Sequence, residues 1–280
     1  MTTVKWLIED GTFSEDIQPI VEEVYKQGMV AKVVKYLPFE TGEYDQFEPH
    51  DCVVVLGSIN LVRQIQRTKP WIPGAFANFK NMECLTYYAH FGKYLLNSEY
   101  HICPVGDLSR RIPDLEEKWG ELFIRPSSGM KQFTGQRLDV KGWKSNPEMY
   151  GKPEQTVVVS PYNSGLRQEY RLFCSGTKVL GGSQYYNCEG QYETKGLDMN
   201  NLSIPEKRAV GFMEGILRET AWRPDPIFVA DIGMLLNGHI PKLLEINSFS
   251  CSGWYKTPPA ELVRSAAQAA IKEYEEIEEC

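Results

Sequence analysis

Two carboxylates and one amide in the segment Ile227–Asn247 are the side chains best placed to do chemistry. Asp231 interrupts the first of two apolar runs, and Glu245 and Asn247 interrupt the second. Between the runs stands Asn237-Gly238, a hairpin signal. Residues two apart on a strand share a face, so Glu245 and Asn247 point together. Whether Asp231 joins them depends on the loop. A strict two-residue turn pairs Leu236 with His239 and sends Asp231 to the opposite face. A three-residue loop with Gly238 in the left-handed conformation puts all three on one face, and this odd-numbered loop is the expectation. Three oxygen ligands, two of them anionic, suit magnesium held jointly with phosphates. The alternative is a half-exposed hairpin whose polar residues face water. That pattern would alternate regularly, whereas these acids break apolar runs, where unpaired carboxylates are costly to bury.

Cations that could meet phosphate stand earlier in the chain. In Phe123-Ile-Arg-Pro-Ser-Ser-Gly-Met-Lys-Gln-Phe-Thr-Gly135 a short strand delivers Arg125, and a Ser/Gly segment carrying Lys131 follows. Backbone amides in such a loop can approach phosphate oxygens, and the two cations can neutralise them. The segment is neither G-x-x-x-x-G-K-[ST] nor G-x-G-x-x-G, and a Ser/Gly loop can equally be only a loop. Further on, Glu169 and Arg171 share a strand face ahead of a Ser175-Gly176-Thr177 turn. A surface salt bridge from Arg171 is the plain alternative. His50, His90, His101 and His239 show no shared spacing. Cys174 sits in an apolar strand and Cys251 in a Ser-rich loop, with no evident base beside either.

These segments need a scaffold, and the apolar pattern outlines one. The first hundred residues alternate strand and helix: Val4–Ile8, Glu15–Gln27, Val30–Leu37 and Cys52–Leu56, then a buried helix over Asn81–Leu96. Gly57-Ser58 closes a buried strand, where ligands often sit in open α/β sheets, or it simply makes a turn. Periodicity weakens between Pro104 and Pro113, which places a boundary between residues 1–110 and 111–280. Beyond it the chain is strand-rich, with Leu122–Arg125, Thr156–Ser160, Glu169–Cys174, Lys178–Tyr186, Ile227–Leu236 and Lys242–Asn247. Ser203-Ile204-Pro205-Glu206 has the capping-box pattern and opens a helix to about Ala221. A last helix runs from Ala260 to about Glu278.

Bulk properties narrow the function classes. The chain has 280 residues, 42% hydrophobic and 24% charged, as a globular protein does. It lacks an apolar run long enough to span a membrane and has no signal-peptide pattern at its start. The seven cysteines are scattered without a C-x-x-C pair, which suits a reducing, cytoplasmic setting. A net charge of −7 gives no footprint for duplex nucleic acid. A small or locally bound ligand is expected, and no membrane partner. Oligomeric state is left open.

Taken in order, the three segments resemble the ATP-grasp superfamily over roughly Glu116 to Tyr255. The first hundred residues are similar to the α/β domain that precedes it. More narrowly, the chain resembles the clade named for two conserved arginines and a lysine, through F-I-R-P with K-x-F-T-G, E-Y-R with G-S-x-Y, and D-I-G followed by L-L-E-I-N. Many superfamily members have lysine where Arg125 stands and glutamate near Ser160, and both departures fit the clade. The resemblance implies a pre-ATP-grasp-like α/β domain followed by an α+β ATP-grasp domain whose antiparallel sheets enclose the nucleotide. It implies ATP and Mg2+ as cofactors, with Asp231, Glu245 and Asn247 on the metal. Arg125, Lys131 and Arg171 would bind phosphate, with Glu169 also at the nucleotide. The adenine would meet the backbone of Val158, Val159, Ser160 and Pro161. Lys131 and Arg171 would be catalytic, and the loop around Gly129 would close over the nucleotide. The implied chemistry is attack of a small-molecule or peptide carboxylate on the γ-phosphate, then capture of the acyl phosphate by an amine. A phosphotransferase and a non-catalytic nucleotide-binding protein are the alternatives on this scaffold. The segment Ser248–Tyr255, through Ser250 and Tyr255, is expected to contact the acceptor.

Overall fold

The alternating first part of the chain closes into a parallel sheet whose two central strands are buried on both faces. In the computed structural model, which describes residues 2–13, 17–37, 47–186, 194–235 and 239–278, β1 (Lys5–Glu9), β2 (Val30–Val34), β3 (Cys52–Leu56) and β4 (Ile72–Gly74) lie in the order β2-β1-β3-β4. Helix α1 (Gln18–Lys26) covers one face through Ile20, Val21 and Val24. Glu15, where this helix was expected to begin, lies outside the described residues. Helix α2 (Ile59–Thr68) covers the other face through Leu61, Val62 and Ile65. The Ser58 hydroxyl caps α2, accepting the Leu61 N–H at 3.2 Å.

Helix α3 (Cys84–Phe91) is shorter than the expected Asn81–Leu96. A second, antiparallel sheet follows, built from β5 (His101–Pro104), β6 (Leu122–Pro126), β7 (Gln136–Arg137) and β8 (Thr156–Pro161) in the order β5-β8-β6-β7. Helix α4 (Leu108–Trp119) precedes β6, and α5 (Val140–Ser145) precedes β8. Periodicity was read as weak at Pro104–Pro113, yet Leu108, Ile112 and Leu115 form the buried stripe of α4.

The third sheet is antiparallel too, in the order β11-β10-β9-β12-β13. Its strands are β9 (Leu166–Ser175), β10 (Lys178–Tyr186), β11 (Lys195–Gly196), β12 (Ile227–Leu235) and β13 (Ile240–Ser248). Helix α6 (Ile204–Glu219) packs on one face, setting Ala209, Met213 and Ile216 against Leu172, Phe228 and Ala230. Its capping box forms, with the Ser203 N–H on Glu206 Oε2 at 2.6 Å. On the opposite face Phe173, Ile227 and Val229 meet Phe249, Trp254 and helix α7 (Pro259–Glu278). Helix α7 returns to the first sheet and packs beside α1 and β3. That same face, one step further along the strands, turns polar.

Candidate nucleotide and metal site

One row of directly opposed residues crosses the polar half of this face: Ser183 on β10, Arg171 on β9, Asp231 on β12 and Glu245 on β13. Asn247 stands two residues beyond Glu245 and shares its face. The three expected metal ligands therefore do converge, though not by the expected route. Near the turn the register pairs Leu235 with Ile240, and this parity would put Asp231 and Glu245 on opposite faces. A β-bulge restores it: Asp231 pairs with Glu245 and Ile232 with Leu243, so Leu244 is the extra residue. The odd-numbered loop is not the device. Gly238 and its neighbours 236–237 lie outside the described residues.

The bulge has a second consequence. It directs the Leu244 carbonyl at Arg125, whose Nη1 donates to it at 3.0 Å. Arg125 Nη2 donates to Glu245 Oε2, and Lys131 Nζ bonds Glu245 Oε1 at 3.0 Å. Across the row, Arg171 grips Asp231 with two parallel bonds, Nε to Oδ1 at 3.0 Å and Nη2 to Oδ2 at 2.9 Å. This fork geometry is the strong form of an ion pair. Both partners are buried, at 8% and 1% exposure. Burial raises the Asp231 carboxyl against the pull of Arg171. Burial also pushes Glu245 up, but Lys131 and Arg125 overcome it and hold that carboxyl well below the usual range.

Arg125, Lys131 and Arg171 thus pair with Glu245 and Asp231, and Glu169 lies on the same face beside Arg171. Asp231, Glu245 and Asn247 also fit a hard cation. Asn247 Nδ2 bonds Asp231 Oδ2 and Glu245 Oε1, each at 2.9 Å, so the amide bridges the two acids. Its Oδ1 is buried without a partner. A half-turn of the amide would bring that oxygen to the acids' side and complete an oxygen set of the kind magnesium takes. No other grouping competes: among the described residues no three His, Cys, Asp or Glu side chains are gathered to hold a metal.

The remaining expected residues fall around this centre. Glu169 shares the Arg171 face and accepts the Tyr185 hydroxyl at 2.5 Å; burial raises its carboxyl. Val158 and Val159 have strand partners on both sides, β5 and β6, so their peptide groups are directed at neighbouring strands. Ser160 and Pro161 have a partner on the β6 side only. The peptide groups without a β5 partner are therefore at the Ser160–Pro161 end of the segment.

Two loop residues are held by packing. A side chain at Gly129 would meet Phe79 O at 2.6 Å and Met82 Cβ at 2.8 Å. The segment is further tied by Ser127 N–H to Thr156 O at 3.0 Å. Ser250 is fully buried and joins the two halves of the molecule, its Oγ accepting the Phe76 N–H at 3.0 Å and its carbonyl the Gly57 N–H at 2.9 Å. Gly57 therefore serves a packed seam, where a side chain would strike Glu9. Cys174 is buried in β9, where burial raises its thiol, as expected of an inert core cysteine.

Two tyrosines that the sequence reading gave no part around Arg171 complete the site. Tyr185 and Tyr255 place their rings 5.6 Å and 4.9 Å from the Arg171 guanidinium carbon. Tyr255 and Lys131 are also two of only three non-glycine residues with positive φ among the described residues, at 52° and 47°. Such strain, of order 1–3 kcal/mol per residue, collects at functional sites.

A sequence model of the ATP-grasp domain, family 2 of the clade named for two arginines and a lysine, matches residues 103–265, more than half of the chain. This chain belongs to that family. Solved structures share the fold of the ATP-grasp protein along nearly its whole length. D-cycloserine synthetase DcsG has a TM-score of 0.63 at 13% identity, over 95% of this chain and 99% of its own. D-alanine–D-alanine ligase from Bacillus anthracis complexed with ATP has 0.60 at 12%, over 99% of each chain. The ATP-grasp ligase PsnB complexed with its minimal precursor has 0.55 at 11%, over 97% and 99%. No curated protein matches in sequence. No helix of the described residues is long and apolar enough to cross a membrane.

Proposed function

We propose that this ATP-grasp protein is an ATP-dependent carboxylate–amine ligase that works through an acyl phosphate. The observation that carries the reading is the convergence of Arg125, Lys131, Arg171, Asp231, Glu245 and Asn247 on one sheet face. Its fold relatives include proteins named as ligases and a synthetase, which supports the same class. Asp231, Glu245 and Asn247 would hold Mg2+, which when bound neutralises charge on the terminal phosphates.

The chain's own residues do the rest by charge and position. Arg125 and Lys131 bind phosphate oxygens, exchanging part of their hold on Glu245 for them. The edge at Ser160–Pro161 receives the base, and Glu169 contributes a polar group beside it. A substrate carboxylate oxygen attacks the γ-phosphorus and ADP departs. An amine then attacks the acyl carbon, phosphate leaves with the bonding pair, and the nitrogen loses a proton to give the amide. Arg171 faces the charge that builds on the phosphoryl and acyl oxygens in both steps. The acid and amine enter where the cleft meets the N-terminal part of the chain, between Ile59, Ser127, Lys131, Asn247, Cys251 and Ser252. A small molecule or a peptide terminus could supply either group. The free thiols of Cys52, Cys84, Cys103, Cys174 and Cys251 support a cytoplasmic setting.

Calorimetry of ATP binding with and without magnesium, on wild type and Glu245→Ala, tests the site. Magnesium-dependent binding in wild type and none in the variant is expected. Phosphate release that requires both an acid and an amine then tests the chemistry. Release of a phosphorylated acid with no amide would place the protein among phosphotransferases, and no ATP binding at all would overturn the proposal.

A further inference from the structure

We infer that Tyr185 and Tyr255 are positioning residues for Arg171, and that they set how strongly the site distinguishes a nucleotide with a terminal phosphate from one without. The inference rests on Arg171 facing phosphate, and adds what holds it there. A guanidinium carries five N–H groups. Arg171 commits Nε and one N–H of Nη2 to Asp231, and one N–H of Nη1 to Gly253 O at 3.4 Å. Among the described residues one N–H on each terminal nitrogen remains. Their direction depends on the plane of the group, which the fork on Asp231 fixes along one edge and the long Gly253 bond holds only loosely.

The two rings fix the rest. They stack on each other at 5.5 Å with planes 26° apart, and each lies against the guanidinium. They arrive from separate elements and are separately secured. Tyr185 comes from β10, and Glu169 holds its hydroxyl. Tyr255 comes from the segment after β13, where Thr257 N–H closes a turn on Trp254 O at 3.0 Å. The next residue is pressed against β11, since a side chain on Gly196 would meet Lys256 O at 2.0 Å.

Tyr255 occupies this turn at φ 52°, a region that asparagine tolerates and a bulky aromatic residue avoids. The turn itself therefore gives no reason for a tyrosine, whereas the ring on Arg171 gives one. This assigns Tyr255 a role through the arginine, beside the acceptor contact expected from the sequence.

The test uses the full chain and three variants: Tyr255→Phe, Tyr255→Asn and Tyr185→Phe. Calorimetry gives the Kd of MgATP and of MgADP, and nitrogen-15 NMR follows the Arg171 Nε–H resonance. Tyr255→Phe should keep the wild-type ratio of the two constants. Tyr255→Asn should stay folded, because backbone relief in the turn offsets part of the lost ring contacts, yet lose preference for MgATP by roughly two- to thirtyfold, the range of a cation–π contact. MgADP affinity should hold within about twofold, and the arginine resonance should leave its ring-shifted position. Tyr185→Phe, freed from Glu169, should give an intermediate loss. A folded Tyr255→Asn protein with the wild-type ratio and an unmoved resonance would overturn the inference. If wild type binds neither nucleotide, the ligase reading fails, and hydrogen exchange of the Arg171 Nε–H decides the inference: exchange faster in Tyr255→Asn than in wild type and Tyr255→Phe supports it, and equal exchange in all three overturns it.

Discussion

Removing Arg171 should destabilise the protein in a way that depends on pH and is repaired by a second substitution. In Arg171→Met the Asp231 carboxylate, 1% exposed, loses both bonds of its ion pair and keeps only the Asn247 amide as a partner. Breaking a buried pair from one side costs about 3–5 kcal/mol, because an uncompensated charge stays behind. The sign with pH follows from Asp231. Burial already raises its carboxyl against the pull of Arg171, and loss of the arginine raises it further. A carboxyl whose folded pKa lies above its unfolded one is penalised when ionised, so the penalty is full above the folded pKa. It shrinks as pH falls toward the unfolded value and the group takes up its proton. Urea unfolding without nucleotide at pH 8 and at pH 5.5 should therefore show a smaller loss at the lower pH. Arg171→Met with Asp231→Leu removes both charges and should recover most of the stability, with a coupling of about 2–4 kcal/mol. The double variant should still lack magnesium-dependent ATP binding, which separates the structural from the functional part of the pair. A loss below about 1 kcal/mol at pH 8, or a double variant no better than the sum of the singles, would show that the pair is hydrated and the reasoning wrong.

Lys131→Ala should change stability by no more than about 0.5 kcal/mol, since the side chain is 43% exposed, yet weaken MgATP binding at least tenfold in calorimetry. Glu169→Gln keeps an acceptor for Tyr185 and removes a carboxyl that burial raises. Its gain in stability over wild type should be largest at neutral pH and vanish in acid, where Glu169 is itself protonated, as urea midpoints across pH would show. Ser250→Ala deprives the Phe76 N–H of its buried acceptor and should cost about 1–3 kcal/mol in chemical unfolding, with the Kd of MgATP unchanged.

The shared face of Asp231, Glu245 and Asn247 was legible because these polar residues break apolar runs, and a chain does not bury two carboxylates without a partner for them. The element that aligns them was misplaced, although a sign of it stood in plain view. Leu243 and Leu244 are adjacent apolar residues in a strand that should alternate, and that doubling marks the bulge. Helix α2 was readable too, from Ser58 as cap and the spacing of Leu61, Val62 and Ile65. Gly57-Ser58, weighed as a ligand-side strand end or a turn, is instead the start of that helix. Pro113, inside α4, obscured a helix whose stripe of Leu108, Ile112 and Leu115 is regular.

The surroundings of Arg171 were a different matter. Tyr185 and Tyr255 are seventy residues apart in a chain with fifteen tyrosines, and no spacing rule links them. What joins them is that Arg171 stands mid-row, between β10 on one side and β12 on the other, and that the segment leaving β13 folds back over the same face. A strand pattern can say which residues share a face, but it cannot say which returning loop will cover them. The residues that bear charge at this site could be named from the sequence because their cost of burial had to be met. Tyr185 stood in the G-S-x-Y motif and Tyr255 in the segment after the last strand, but only the packing of three separate segments brings both rings onto Arg171. For that reason the most informative variants here are not of the charged residues, whose loss removes function under several accounts, but of Tyr255, where asparagine and phenylalanine separate the needs of the backbone from those of the ring.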